Sequence, residues 1–144
     1  MGRHKELLFE ELTGRVIGLY YDVYNDLGPG LLEASYQEAM GIALHDAGIQ
    51  CEREVPIKAV FRGRTIGQYR IDLVVQQCVI LECKTSDALS PNYHVQIRNY
   101  LRVSGLKLGL IFLFGCKPIT QRVIFDSARM PKKEKDDIAP PGDI

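Results

Sequence analysis

The chain has 144 residues, of which 46% are hydrophobic and 25% charged, and its eighteen basic and eighteen acidic side chains cancel. This excludes disorder as the main state and excludes a domain that coats nucleic acid through bulk positive charge, so any contact with a polyanion must come from local patches. The longest mostly apolar run, Leu108 to Cys116, is too short for a bilayer, and the first residues lack an apolar signal-like stretch, so a cytoplasmic protein with no membrane partner is expected.

Leu12, Val16, Leu19, Tyr20, Val23 and Leu27 recur at three- and four-residue steps and predict a helix from about Leu7 to Leu27, ended by Gly28-Pro29-Gly30. A second helix is expected from about Leu32 to Ala47, with Tyr36, Met40, Ala43 and Leu44 inward and Gly48 as a left-handed C-cap; the two make a helical hairpin. The period then changes. Val55 and Ile57, then Val60 and Phe61, lie in short β-prone runs broken by Pro56 and by the turn signal Arg62-Gly63-Arg64. Ile71 to Val75 and Cys78 to Leu81 are apolar enough to be buried on both faces and predict a central hairpin across Gln76-Gln77.

Ser90-Pro91 reads as the cap and first residue of a helix that carries Val95, Tyr100 and Leu101 and stops at Gly105. Leu108 to Phe114 is a further buried strand, and Gln121 to Asp126 a last edge strand. From Ser127 the prolines and mixed charges offer little to bury. Residues 1–126 are therefore expected to form one α/β domain, and 127–144 a polar, flexible tail. The four cysteines, Cys51, Cys78, Cys83 and Cys116, lack zinc spacing and are expected as free, mostly buried thiols.

Charged residues stand where this pattern demands core. Asp72 interrupts an apolar strand, and Glu82 and Lys84 cap Val79-Ile80-Leu81, although buried charges are costly without a partner. Two readings account for them: a structural ion pair of Lys84 with Asp72 or Glu82, or a divalent metal site. Glu82 and Lys84 are two apart on a strand and share one face, with Cys83 on the other. If Asp72 joins them, two carboxylates converge beside an ammonium, a donor set that suits hard Mg²⁺, with Mn²⁺ as a substitute.

These residues carry a family resemblance. Asp72 followed by Glu82-Cys83-Lys84 resembles the D…(D/E)xK signature of the PD-(D/E)XK nuclease superfamily, and Gly30-Leu31-Leu32-Glu33-Ala34-Ser35-Tyr36 is similar to the motif that names the small bacterial GxxExxY proteins. Gln96-Ile97-Arg98-Asn99-Tyr100 resembles the QxxxY helix of the RecB-like branch. The resemblance implies a restriction-endonuclease-like core, a mixed central sheet flanked by helices with the N-terminal helical hairpin. It implies Asp72, Glu82 and the Cys83 carbonyl as metal ligands and Lys84 as the catalytic lysine. Glu33 would be a further catalytic carboxylate and metal ligand, kept ionised at the positive end of its helix. Gln96 and Tyr100 share a helix face where an amide and a phenol can reach a phosphate.

The activity expected is Mg²⁺-dependent phosphodiester hydrolysis, on DNA rather than RNA; the alternative is a non-catalytic nucleic-acid-binding or assembly module that keeps the fold. Homodimerisation is common in the superfamily and would enlarge the contact surface. Arg62, Arg64, Arg70, Arg98 and Arg102 are either solvated or contacts to the nucleic-acid backbone, Gly28 and Gly30 serve backbone conformation, and His4, His45 and His94 receive no role.

Parity adds one demand. For Asp72 to share a face with Glu82 across an antiparallel pair, opposed position numbers must sum to an even number. A two-residue Gln76-Gln77 turn would give an odd sum. The shared site therefore requires a three-residue loop, Gln76-Gln77-Cys78, with Val75 opposite Val79, or a bulge. That neither glutamine is a favoured type I′ residue supports the longer loop.

Overall fold

The structure, a computed structural model, describes residues 2–126, with side chains from Phe9 onward. Helices α1 (Gly2–Leu27) and α2 (Glu33–Asp46) are followed by strands β1 (Cys51–Phe61), β2 (Arg64–Val75) and β3 (Val79–Lys84). Helix α3 (Pro91–Ser104) then leads to β4 (Leu108–Phe114) and β5 (Pro118–Ile124). The helix stops are those the sequence marks. Gly28 and Gly48 take positive φ, Gly105 is the left-handed cap of α3, and the Ser90 side chain accepts the Asn92 N–H at its start. The first helix begins at Gly2, earlier than Leu7, because arginine, lysine and glutamate extend a helix without an apolar stripe. The last strand lies at 118–124 rather than 121–126, paired along the whole of β4 from Phe114↔Pro118 to Leu108↔Ile124. The tail, 127–144, lies outside the described residues, and so does the side chain of His4.

The five strands lie in the order β1-β2-β3-β4-β5, antiparallel except for the parallel pair β3–β4. Parallel neighbours cannot be joined by a tight turn, and α3 is their crossover. Alternation along the strands makes two cores. Leu73, Val75, Leu81, Cys83 and Phe112 pack with α1 and α2, while Val74, Ile80, Ile111 and Leu113 pack with Ile97 and Leu101 of α3. This is why the strands read as unbroken apolar runs. The result is the expected α/β architecture, a mixed central sheet between helical layers, with the restriction-endonuclease-like arrangement. No helix among the described residues is long and apolar enough to cross a membrane.

The register of the central hairpin meets the parity demand, with Val75 opposite Val79, Val74 opposite Ile80 and Leu73 opposite Leu81. The loop is Gln76-Gln77-Cys78. Both glutamines are left-handed, at φ 48° and 57°, and the Cys78 N–H donates to the Val75 carbonyl at 3.0 Å. The Gln76 N–H donates to the Gln50 carbonyl at 2.9 Å, so tertiary pairing holds a conformation that glutamine itself disfavours. Among the cysteines, all free, only Cys83 is buried; Cys51 and Cys78 are half-buried and Cys116 is exposed, fewer buried thiols than expected because the other three lie at strand ends and loops.

Glycine carries no left-handed penalty, which for an L-residue is about 1–2 kcal/mol, though it adds freedom to the unfolded chain. Gln77→Gly is expected to raise stability by up to about 1 kcal/mol, and Gln77→Val to lower it. Urea denaturation with an unchanged m-value is the measurement.

Candidate active site

The site begins where β2 turns over. Leu73 packs in the α1/α2 core and Ile71, two residues earlier, in the α3 core, so the strand changes its exposure pattern at Asp72. On β1 the facing residue is Glu54, at φ 50°, and the β1–β2 pairing passes from Arg53↔Leu73 to Val55↔Ile71. Pairing with β3 also stops at Leu73↔Leu81. Asp72 is thus left out of the regular ladder, and side chains replace it. The Asp72 N–H donates to Glu82 Oε1 at 3.2 Å, and the Cys83 N–H donates to Asp72 Oδ2 at 3.0 Å. Each carboxylate satisfies a backbone donor of the other strand.

Glu82 is only 3% exposed. Burial first, and the adjacent Asp72 charge second, push its carboxyl up to about 9, against the pull of the Asp72 N–H and the more distant Lys84. Lys84 forms no ion pair with Asp72, Glu82 or Glu33 among the described residues. Its ammonium lies 5.2 Å from the centre of the Tyr93 ring, and the Tyr93 hydroxyl donates to Ser86 Oγ at 2.9 Å. The structural ion pair weighed from the sequence is not made, because the cation rests on an aromatic face of α3 instead. Cys83 points the other way, into the α1/α2 core, where burial raises its thiol pKa well above the ordinary value.

From the α1/α2 side comes Glu33, the first residue of α2 and half-buried. Burial raises its carboxyl pKa, with Lys84 acting against this and Asp72 with it. Desolvation thus opposes the helix terminus expected to keep it ionised. Its position is set by the tyrosine that ends the Gly30–Tyr36 motif. The buried Tyr36 stacks on Phe114, ring centres 4.1 Å apart, and its hydroxyl donates to the Gly28 carbonyl at 2.6 Å and accepts the Leu31 N–H at 3.1 Å. Tyr36 so closes the loop that delivers Glu33. The available signal was a tyrosine at an inward position, since a buried phenol needs a partner.

From the opposite side comes α3. Gln96 Nε2 donates to the Tyr100 hydroxyl at 3.0 Å, and Tyr100 is close enough to the site that the charges of Glu82 and Asp72, after burial, raise its pKa. The arginines divide. Arg98 lies over the Phe125 ring at 5.8 Å, Arg62 over Phe61 at 4.9 Å, and Arg70 pairs with Glu54 at 3.7 Å. His45 and His94 are exposed. The β3–α3 connection is pinned by the Cys116 N–H donating to Asp87 Oδ1 at 2.8 Å, and a side chain at Gly115 would collide with the Ser86 carbonyl and the Asp87 backbone.

Asp72 and Glu82 fit a hard divalent cation. Each commits one oxygen to a backbone N–H, and no cation among the described residues forms an ion pair with either. Among the described residues no group of three or more His, Cys, Asp or Glu is arranged to hold a metal, so two carboxylates would leave most positions of a bound cation to water. A carboxyl whose pKa is raised on folding adds stability in full below its unfolded value near 4.5 and loses it as pH rises through the folded value. Without divalent cations, the melting temperature is expected to fall as pH rises from about 5 toward 9. Glu82→Gln should fall less and exceed the parent at pH 8, and added Mg²⁺ should raise the parent alone; a calorimetric pH series reads all three.

No curated protein matches the chain in sequence. Among solved structures it is similar to the crystal structure of SSO0001, at 15% identity and a TM-score of 0.47, over 67% of this chain and 60% of that one, so it spans about 60% of that protein's length. A family model matches residues 10–123, which include Glu33, Asp72, Glu82, Lys84, Gln96 and Tyr100. By that match, the chain belongs to the PD-(D/E)XK nuclease superfamily.

Proposed function

We propose that the protein is a Mg²⁺-dependent nuclease that hydrolyses phosphodiester bonds, in DNA in preference to RNA, and that it is one of the GxxExxY proteins of the superfamily. The observation that carries the reading is the pair Asp72 and Glu82, held together across a break in the sheet while Lys84 stays out of ion-pair contact. A purely structural site has no reason to bring two carboxyl groups together in a desolvated gap and leave Lys84 on a tyrosine ring. A non-catalytic module would use Lys84 to neutralise the carboxylates.

Asp72, Glu82 and the Cys83 carbonyl would hold the cation. The carbonyl points toward β2 together with the Cys83 N–H, since both polar groups of a strand residue face one neighbour. When bound, the cation supplies Lewis acidity, drawing charge from the phosphoryl oxygens and lowering the pKa of the attacking water. Lys84 orients that water or stabilises the pentacovalent phosphate, its ammonium kept available by Tyr93. Gln96 and Tyr100, joined by their hydrogen bond, meet the phosphate from the α3 side. Glu33 adds a third carboxylate from the α2 side, a further ligand once substrate is bound.

Lys84→Ala and Glu82→Gln are each expected to abolish cleavage while the far-ultraviolet circular dichroism and the melting temperature show an intact fold. The assay is gel electrophoresis of single- and double-stranded DNA and RNA with Mg²⁺ or Mn²⁺. If the charges were a structural pair, each variant would lose about 3–5 kcal/mol of stability, and with no activity in the parent that outcome would overturn the nuclease reading.

A further inference from the structure

A groove of about 470 Å³ lies between α3 and the β1–β2 hairpin and shares Gln96 and Tyr100 with the candidate active site. Gln96 and Tyr100 form its inner end; Tyr69, Phe61 and Ile66 line the hairpin side, and Arg102 enters from α3. Three observations make it more than a gap between elements. First, it presents large apolar groups to solvent: Ile66 is 68% exposed, Tyr69 49% and Phe61 39%. Second, Arg102 Nε is buried with no hydrogen-bond partner, a donor left waiting in the groove wall. Third, the Tyr69 ring has a prepared seat. A Cβ on Gly67 would lie 2.8 Å from Cε2 of that ring and 2.8 Å from its hydroxyl oxygen, and Gly67 has no positive φ to explain it, so the glycine makes room for the tyrosine.

We propose that this groove is a base-binding subsite for an unpaired nucleotide beside the scissile phosphodiester, which makes the substrate a single strand. The proposal rests on the nuclease reading for the position of the phosphodiester. Tyr69, its centroid 6.2 Å from the buried Tyr100 ring with planes at 48°, offers an exposed aromatic face of the kind on which bases stack without sequence preference. The amides of Gln96 and Asn99 and the free Arg102 donor supply hydrogen bonds to a base edge or sugar-phosphate oxygen. The hairpin tip adds Arg62 and Arg64, complementary in charge to a strand leaving the groove. A base stacked inside a duplex cannot reach between α3 and the hairpin unless it first unpairs, so an already unpaired strand is favoured.

The test is fluorescence anisotropy of a short labelled DNA strand, alone and annealed to its complement, with Mg²⁺ in the full-length Lys84→Ala protein so that nothing is cut. The single strand is expected to bind more tightly than the duplex. Tyr69→Ala should weaken single-strand binding by about 5- to 150-fold, the range for one stacked base, Tyr69→Phe should keep it, and Gly67→Ala should weaken it by displacing the ring. Duplex bound as tightly as single strand, or Tyr69→Ala without effect, overturns the subsite. A concentration-dependent dimer in light scattering that Ile66→Ser dissociates assigns the groove to a second copy and also overturns it. The nuclease reading fails separately: a parent that cuts nothing, yet binds single strands through Tyr69, keeps the subsite and loses the chemistry.

Discussion

Two backbone-to-carboxylate hydrogen bonds, Asp72 N–H to Glu82 and Cys83 N–H to Asp72, decide what this sheet can do. A strand pair that parts normally leaves its amides to water. Here the amides lie inside the protein, where an unsatisfied donor costs about 1–3 kcal/mol, and the two carboxylates take the places of the missing carbonyls. The substitution explains why acidic side chains survive in the middle of the core. It also imposes a stress, because the desolvated gap and the neighbouring Asp72 charge raise the proton affinity of Glu82. The local backbone is satisfied and the local charge is not, and the chemistry of the site follows from that imbalance.

The rest of the fold aims groups at that gap from both sides. Tyr36 fixes the loop before α2 and with it Glu33, while α3 brings Gln96 and Tyr100. Tyr20 gives the α1 layer its anchor: its hydroxyl donates to the Leu113 carbonyl and accepts the Ile119 N–H at 3.0 Å, with the ring stacked on Phe112. Phenols in this protein are thus placed at joints between layers. On the other face, Gly109 lets Ile97 of α3 approach the sheet, since a Cβ there would meet the isoleucine side chain.

Much of this was legible in the sequence, for reasons that can be named. The helix stops followed from Gly28, Gly48 and Gly105, the α3 cap from Ser90-Pro91, and the three-residue loop Gln76-Gln77-Cys78 was one of two ways to meet the parity that a shared face for Asp72 and Glu82 demands. Asp72, Glu82 and Lys84 stood out because charge in an apolar strand demands an explanation. What could not be read depends on atoms brought together from distant positions. The rotation of β2 at Asp72 needs Glu54 on β1 in a left-handed conformation, which no glutamate advertises. The seating of Lys84 on Tyr93, the desolvation of Glu33 and the loop tie by Tyr36 likewise arise from packing across layers.

The three-layer construction of the site has a consequence for its birth. Glu33, the Asp72–Lys84 hairpin and the Gln96–Tyr100 turn are far apart in the chain, and each belongs to a different layer. Contacts of such long sequence separation form late, after the costly closure of the intervening loops. While the chain is still being synthesised, the carboxylates remain hydrated and α3 has yet to cover them, so the partly made protein lacks a working centre. Docking of α3 onto the sheet, the step that forms the parallel β3–β4 crossover, is then also the step that completes the site. A chain assembled in this order has its candidate site only once all three layers are in place.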